Sequence, residues 1–241
     1  MSHSVAVFRP NDDRIEAAAD LLESLGVEAV SDPMLAVEAT GAVPRSDAEY
    51  VVFTSTTGVE LAAEAGWSPG DQELVAIGPK TADTASDAGF AVDIVPEEYT
   101  SAGLVEAMTD HVDGARVEVA RSDHGSQVLL DGLERAGAYQ HETILYQLVR
   151  PPAAGISVER AVGGDLDAAL FTSSLTVEHF VEAAEEQGVA AELTPAMVDV
   201  TVGCIGPPTR ETAEAAGFDV DVVPDDATFD ALARAVVDRL E

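Results

Sequence analysis

Two short patterns of polar residues each follow an apolar run, and each occurs twice in the chain. The first copy is Phe53-Thr54-Ser55, then Ile77-Gly78-Pro79-Lys80-Thr81; the second is Phe171-Thr172-Ser173-Ser174, then Ile205-Gly206-Pro207-Pro208-Thr209. An apolar run reads as a buried parallel strand. Where it breaks into small polar residues ahead of a helix, the first backbone N–H groups of that helix lie open. Such a turn suits an anion, because the amides point outward and the helix dipole is positive there. Four such turns in one chain imply a ligand with several negative groups. Ser55, Thr56, Thr81, Ser173, Ser174 and Thr209 could add hydroxyl donors, while Gly78, Pro79, Gly206 and Pro207 shape the backbone. The plain alternative is that each hydroxyl only caps a helix.

Cations are scarce enough for their positions to carry information: 12 Lys and Arg stand against 45 acids, a formal charge of −33. Arg9 and Arg121 end equivalent apolar runs, the strand end at which open α/β sheets bind ligands. Lys80, the one lysine, lies inside the first Gly-Pro turn, and Arg210 follows Thr209. Each could partner a carboxylate of the ligand; the alternative is an ion pair with one of the many acids. Tyr146 stands where the other half of the chain has Leu35. A phenol can pass a proton or hydrogen bond to a departing hydroxyl, although a pKa near 10 makes it a weak acid. Otherwise it is a packed tyrosine in an extended segment.

The elements that must position these groups are legible from periodicity. Val5 to Phe8 reads as a strand. Asn11 is placed to cap a helix with Ile15, Ala18, Leu22 and Leu25 on one face. Val27–Val30 and Phe90–Val95 read as strands, Met34–Ala39 and His141–Val149 as extended runs, and Val117–Ala120 as a strand ending in Arg121. Val59–Ala65, Val128–Ala136 and the segments after both Gly-Pro turns read as helices; Gly155, Gly163 and Gly164 mark a loop. Gly217 to Pro224 mirrors Gly89 to Pro96, and Thr228 caps a last helix. The chain is therefore a two-fold repeat, each half with about five strands alternating with helices. The fold class is α/β: two similar parallel-sheet, flavodoxin-like domains.

Composition bounds the function. Hydrophobic periodicity persists throughout, which argues against disorder despite the charge. No basic stripe exists for nucleic acid, and no run reaches a membrane span. The opening Met1-Ser2-His3-Ser4 lacks a signal-peptide layout, so a cytoplasmic protein is expected. The single Cys204 excludes an internal disulfide, and the five histidines have no metal-ligand spacing, so no metal is expected. Acids spread along a chain with one lysine suit a salt-rich cytoplasm, where screening shortens repulsion.

The ordered set Phe53-Thr54-Ser55, Ile77 to Thr81, Tyr146-Gln147, Phe171 to Ser174 and Ile205 to Thr209 resembles the uroporphyrinogen-III synthase family from Val5 to Leu240. The resemblance implies that the chain starts in one domain, crosses to the other and returns. Domain one would be 1–33 plus 152–241 and domain two 37–149, joined by two extended crossover linkers at about 34–39 and 144–151, with a cleft between the domains. It implies a hydro-lyase that cyclises hydroxymethylbilane, an octacarboxylate, with loss of water and inversion of the last ring, giving uroporphyrinogen III without a cofactor. Tyr146 and Thr209 are then the candidate catalytic residues; Arg9, Ser55, Thr56, Gly78, Pro79, Lys80, Thr81, Arg121, Ser173, Ser174, Gly206 and Pro207 are the candidate substrate contacts. The expected partner is the substrate alone, with a monomeric chain and at most a transient contact with the preceding pathway enzyme. Asp123, in the loop after Arg121, departs from what an anionic substrate would meet. The alternative is a two-lobed cytoplasmic protein that binds or senses a small anion or tetrapyrrole without catalysis.

Overall fold

The computed structural model describes residues 2–10 and 12–241. In chain order the elements are β1 (Ser4–Phe8), α1 (Asp13–Ser24), β2 (Glu28–Ser31), β3 (Ala36–Ala39), β4 (Tyr50–Phe53), α2 (Thr56–Glu64), β5 (Glu73–Ala76), α3 (Pro79–Asp87) and α4 (Ser101–Met108). Then follow β6 (Arg116–Ser122), α5 (Gln127–Arg135), β7 (Tyr139–Val149), α6 (Ile156–Gly163), β8 (Ala168–Phe171), α7 (Ser174–Glu186), α8 (Ala190–Ala196), β9 (Thr201–Cys204), α9 (Pro207–Ala215) and α10 (Phe229–Leu240). The chain divides into two compact units. Unit 1 is Met1–Ala36 with Val149–Glu241, and unit 2 is Val37–Leu148.

Unit 1 carries a sheet of order β2-β1-β8-β9, and unit 2 one of order β3-β7-β6-β4-β5. The registered pairs β1–β2, β1–β8, β8–β9, β4–β5, β4–β6 and β6–β7 are all parallel. Phe8 lies opposite Phe171 in unit 1, and Ala120 opposite Phe53 in unit 2. So β1 corresponds to β6, β8 to β4, β9 to β5, and β2 to the first part of β7. Each unit therefore joins the front of one sequence repeat to the back of the other. The segments expected as linkers, 34–39 and 144–151, overlap strands of the unit 2 sheet, β3 and the end of β7.

Strands buried on both faces explain the continuous apolar runs. In unit 1, Val5, Val7, Ala168 and Leu170 face α1 and α10, whereas Ala6, Phe8, Ala169 and Phe171 pack with Phe180 and Phe218. The Phe8 and Phe171 rings stack at 4.7 Å between centroids, and Phe180 meets Phe171 edge-on at 5.5 Å. In unit 2, Val52, Val117 and Val119 pack against Leu104 and Leu133, while Val51, Phe53 and Ala120 face Val59 and Phe90.

Several expectations are corrected. Phe90–Val95 forms only an isolated bridge, Val75 to Ile94, and its mirror only Gly203 to Val222. In both places an aspartate side chain takes a ladder position: Asp93 accepts the Leu74 N–H at 2.8 Å and Asp221 the Val202 N–H at 3.0 Å. The Gly155–Gly164 loop contains α6, whose start is held by a distant residue. Buried Asp32 accepts the N–H groups of Gly155 and Ser157 and the Ser157 hydroxyl. Among the described residues the first repeat contributes five strands, β1–β5, and the second four, β6–β9, against about five expected in each. Asn11, the expected cap of α1, lies outside the described residues; Asp12 occupies the N-cap and accepts the Arg14 N–H.

Candidate functional site

In unit 2, β4 ends at Phe53, and Ser55 turns the chain into α2 with extended φ and ψ. Its Oγ accepts the Gly58 N–H at 3.1 Å, an N-cap that helix propensity alone favours. The same oxygen lies 3.0 Å from the Tyr146 phenol oxygen. Tyr146 comes from β7, two strands away across the sheet, and is 7% exposed. A register shift between Arg121 and Ser122 sets Tyr146 opposite Ser122. Thr56 opens α2 beside this pair.

The neighbouring strand β5 leads to the first Gly-Pro turn. Gly78 is the N-cap of α3, Pro79 occupies the first helical turn, and no side chain caps this end. The open amides of Lys80 and Thr81 therefore differ from the serine-capped start of α2. Lys80 is exposed, and the Thr81 side chain is buried. Gly78 is extended, so its backbone would accept any residue; its small size fits the exposed Tyr99, 3.3 Å from where a Cβ would stand.

Arg121 does not join these groups. Its Nε bonds Glu142, its Nη1 donates to the Ser126 carbonyl, and its side chain is 4% exposed. Gly125 lies over its stem, where a Cβ would come within 2.3 Å of Arg121 Cδ. Asp123, the acid expected to repel a ligand, instead accepts the Leu148 N–H at 3.1 Å and ties its loop to β7.

In unit 1 the equivalent turns follow β8 and β9. Ser173 caps α7 in a reciprocal box with Thr176. Thr172 Oγ1 donates to the Phe8 carbonyl at 2.8 Å, joining β8 to β1. Ser174 Oγ donates to the Pro208 carbonyl at 3.1 Å, joining the starts of α7 and α9. Gly206 and Pro207 open α9 without a side-chain cap, as Gly78 and Pro79 open α3. Thr209 is buried, and Arg210 is drawn away to Glu214, one turn on.

Arg9 follows β1 at this same end of the sheet. Its guanidinium carbon stands 5.2 Å from the Phe229 ring centroid, and its buried Nε has no hydrogen-bond partner among the described residues. Burial, then the nearby Arg14, pulls its pKa down. Among the described side chains, which do not include that of Asp13, every arginine except Arg9 has a carboxylate within 4.0 Å, and Lys80 has none either. Among the described side chains each unit thus holds one cation with no carboxylate within 4.0 Å, and each unit has one amide turn without a side-chain cap. Among the described residues no cluster of three or more His, Cys, Asp or Glu could hold a metal ion, and no helix is long and apolar enough to cross a membrane.

The family model described as uroporphyrinogen-III synthase HemD matches residues 16–234. The chain belongs to the uroporphyrinogen-III synthase family. It is 36% identical over 230 residues to a Methanothermobacter thermautotrophicus protein provisionally named as such a synthase, covering 89% of this chain and 90% of that one. It is 28% identical over 203 residues to the uroporphyrinogen-III synthase of Synechococcus elongatus, covering 79% of this chain and 75% of the other. In fold it resembles a mutant uroporphyrinogen III synthase from Thermus thermophilus (TM-score 0.66, 19% identity, 100% of both chains). It also resembles the synthetase of Helicobacter pylori (TM-score 0.62, 14% identity, 100% of both chains). The α/β class with parallel sheets in two units is the architecture of this family.

Three residues of this region are not among the sequence candidates. Phe229 and Tyr99 lie next to the helix caps Thr228 and Thr100, with no pattern that sets them apart. Glu142 alternates with Ile144 along an extended run, but the register shift before Tyr146 leaves Glu142 on the face of Val119 and Tyr146 on the face of Ala120.

Proposed function

We propose that the protein is a uroporphyrinogen-III synthase that cyclises hydroxymethylbilane, releasing water and inverting the last pyrrole ring. The observation that carries the site assignment is the pair of cations with no carboxylate within 4.0 Å among the described side chains: Arg9 at the end of β1, and Lys80 in an amide-rich turn. In a chain with 45 acids, a cation left without a carboxylate partner supports a role toward an external anion, and the substrate carries eight carboxylates. Amides of the Gly78-Pro79 and Gly206-Pro207 turns would hold further carboxylates, with Thr81 and Thr209 in those turns and Thr56, Ser173 and Ser174 at the starts of α2 and α7.

Tyr146 would assist the loss of water. Ser55 Oγ already accepts from Gly58 N–H, so its own hydroxyl hydrogen can be donated to the Tyr146 oxygen. The phenol O–H is then free to donate to the departing hydroxyl, and charge developing on the phenol oxygen is met by Ser55. The leaving group departs as water, the resulting azafulvene carbon is attacked by the last ring, and a spiro-pyrrolenine rearranges to the inverted macrocycle. Thr209, at the first turn of α9, is the second hydroxyl assigned to this chemistry. The same reading makes the protein a monomeric cytoplasmic enzyme, and its excess of acids over cations supports adaptation to salt.

The test is incubation with enzymatically made hydroxymethylbilane in molar salt, then separation of uroporphyrin isomers. Isomer III should dominate with the protein and isomer I without it. Isomer I alone, with tetrapyrrole still bound, would favour a binding protein without catalysis.

A further inference from the structure

Arg9 and Arg121 occupy equivalent places, yet Arg121 is paired with Glu142 and Arg9 has no carboxylate within 4.0 Å among the described side chains. In unit 2, Val119 lies opposite Glu142, and Glu142 binds Arg121 two residues further along β6. In unit 1 the equivalent pair is Val7 opposite Ser31, two residues before Arg9. A hydroxyl therefore stands where the other unit has its neutralising carboxylate. The second difference lies one residue after a helix cap. Thr100 is followed by Ser101, whereas Thr228 is followed by Phe229, whose ring meets Arg9. Both changes act in one direction: a carboxylate is withdrawn and an aromatic face is supplied.

The physical consequence differs from that of an ion pair. A ring attracts a guanidinium through its quadrupole and restricts its orientation, but adds no charge. The planar fork keeps its donors for a carboxylate. Asp12, whose field reaches Arg9, is engaged by the Arg14 guanidinium through both carboxylate oxygens.

We propose that Phe229 is the positioning residue for Arg9, holding its guanidinium at the end of β1 so that it can take a carboxylate of the tetrapyrrole substrate. This rests on the reading of Arg9 as a substrate contact. The replacement of Glu142 by Ser31 at the equivalent position is the other half of the same device.

The test compares Phe229→Leu, Phe229→Tyr, Ser31→Glu, Arg9→Ala and the Arg9→Ala/Phe229→Leu double variant. The readouts are kcat, KM, product affinity and the ring-current shift of the Arg9 side-chain protons. Phe229→Leu should abolish the ring-current shift and raise KM and product Kd about three- to tenfold, with kcat little changed. Phe229→Tyr should restore all three, and Phe229→Leu should cost nothing further once Arg9 is absent. Ser31→Glu should behave like Arg9→Ala, because it copies the ion pair of unit 2. The proposal is overturned if Phe229→Leu loses the ring-current shift but keeps wild-type KM and Kd, or weakens binding equally with and without Arg9. If Arg9→Ala binds product like wild type, Arg9 is no substrate contact and the proposal falls. Isomer III formation by that same variant would leave the synthase reading standing.

Discussion

Replacing Tyr146 by phenylalanine leaves a ring packed among Val51, Phe53 and Leu145 and removes the 3.0 Å bond to Ser55. Ser55 keeps its capping bond from Gly58 N–H, so α2 should start where it does now. The loss is confined to one hydroxyl, which makes the variant a clean probe of chemistry. If the phenol donates only as the hydroxyl departs, the interaction is made in the transition state and not in the product complex. A full general acid is typically worth 10²–10⁴-fold; a weak acid that shares the task with turn amides should give about a tenfold fall in single-turnover rate. Product affinity should stay near wild type. A full single-turnover rate for Tyr146→Phe would make the tyrosine a packing residue of β7 and leave folding of the substrate as the main source of rate.

Among the elements, local patterns were readable and non-local partners were not. Each buried run of four or five apolar residues is a strand, and each Gly-Pro pair opens a helix, because these depend on neighbours in sequence. Helix α6 was hidden because Asp32, 123 residues from Gly155, closes its first turn. The Phe90–Val95 run failed as a strand because Asp93 supplies its own acceptor to Leu74 N–H. In the same way, the types of Arg9 and Arg121 were visible, but their opposite fates depend on cross-strand register, which puts Glu142 in one unit and Ser31 in the other. Strand β9 carries a consequence of double-sided burial. Burial pushes the Cys204 thiol up to about 12 from 9.0. Its folded pKa lies above its unfolded one, so the folded chain keeps a proton that the unfolded chain loses. The stability due to this group is complete below pH 9.0 and declines as pH rises to about 12, by about 1.4 kcal/mol per pH unit. Denaturant melts across that range should show a steeper alkaline loss for wild type than for Cys204→Ala. Equal slopes would mean that the thiol ionises freely in the folded state.

At the scale of the whole molecule, 12 cations cannot balance 45 acids. Most of the ion pairs that form are exposed, such as Arg234 with Asp230 and Arg210 with Glu214. Pairs of that kind contribute little, so repulsion among the remaining acids sets the electrostatic cost of compaction. The Debye length is about 30 Å at 0.01 M salt and about 3 Å at 1 M. At low salt each acid therefore senses many others across its own unit; at molar salt it senses only its neighbours. Unfolding separates the charges, so low salt should favour the unfolded chain. Thermal melts in increasing potassium chloride should show a rising midpoint, most steeply below the concentration at which the Debye length falls under typical spacings between charges. For a unit of about a hundred residues, each ~1 kcal/mol recovered raises the midpoint by roughly 4–8 °C. Substrate capture should move the same way, because the field that repels the acids from one another also repels an octacarboxylate. KM for hydroxymethylbilane should therefore fall from low to moderate salt, the reverse of the trend for an anion drawn to a basic enzyme. A midpoint and a KM that both ignore salt would mean that the acids are compensated locally, and that the charge of −33 has no part in stability or capture.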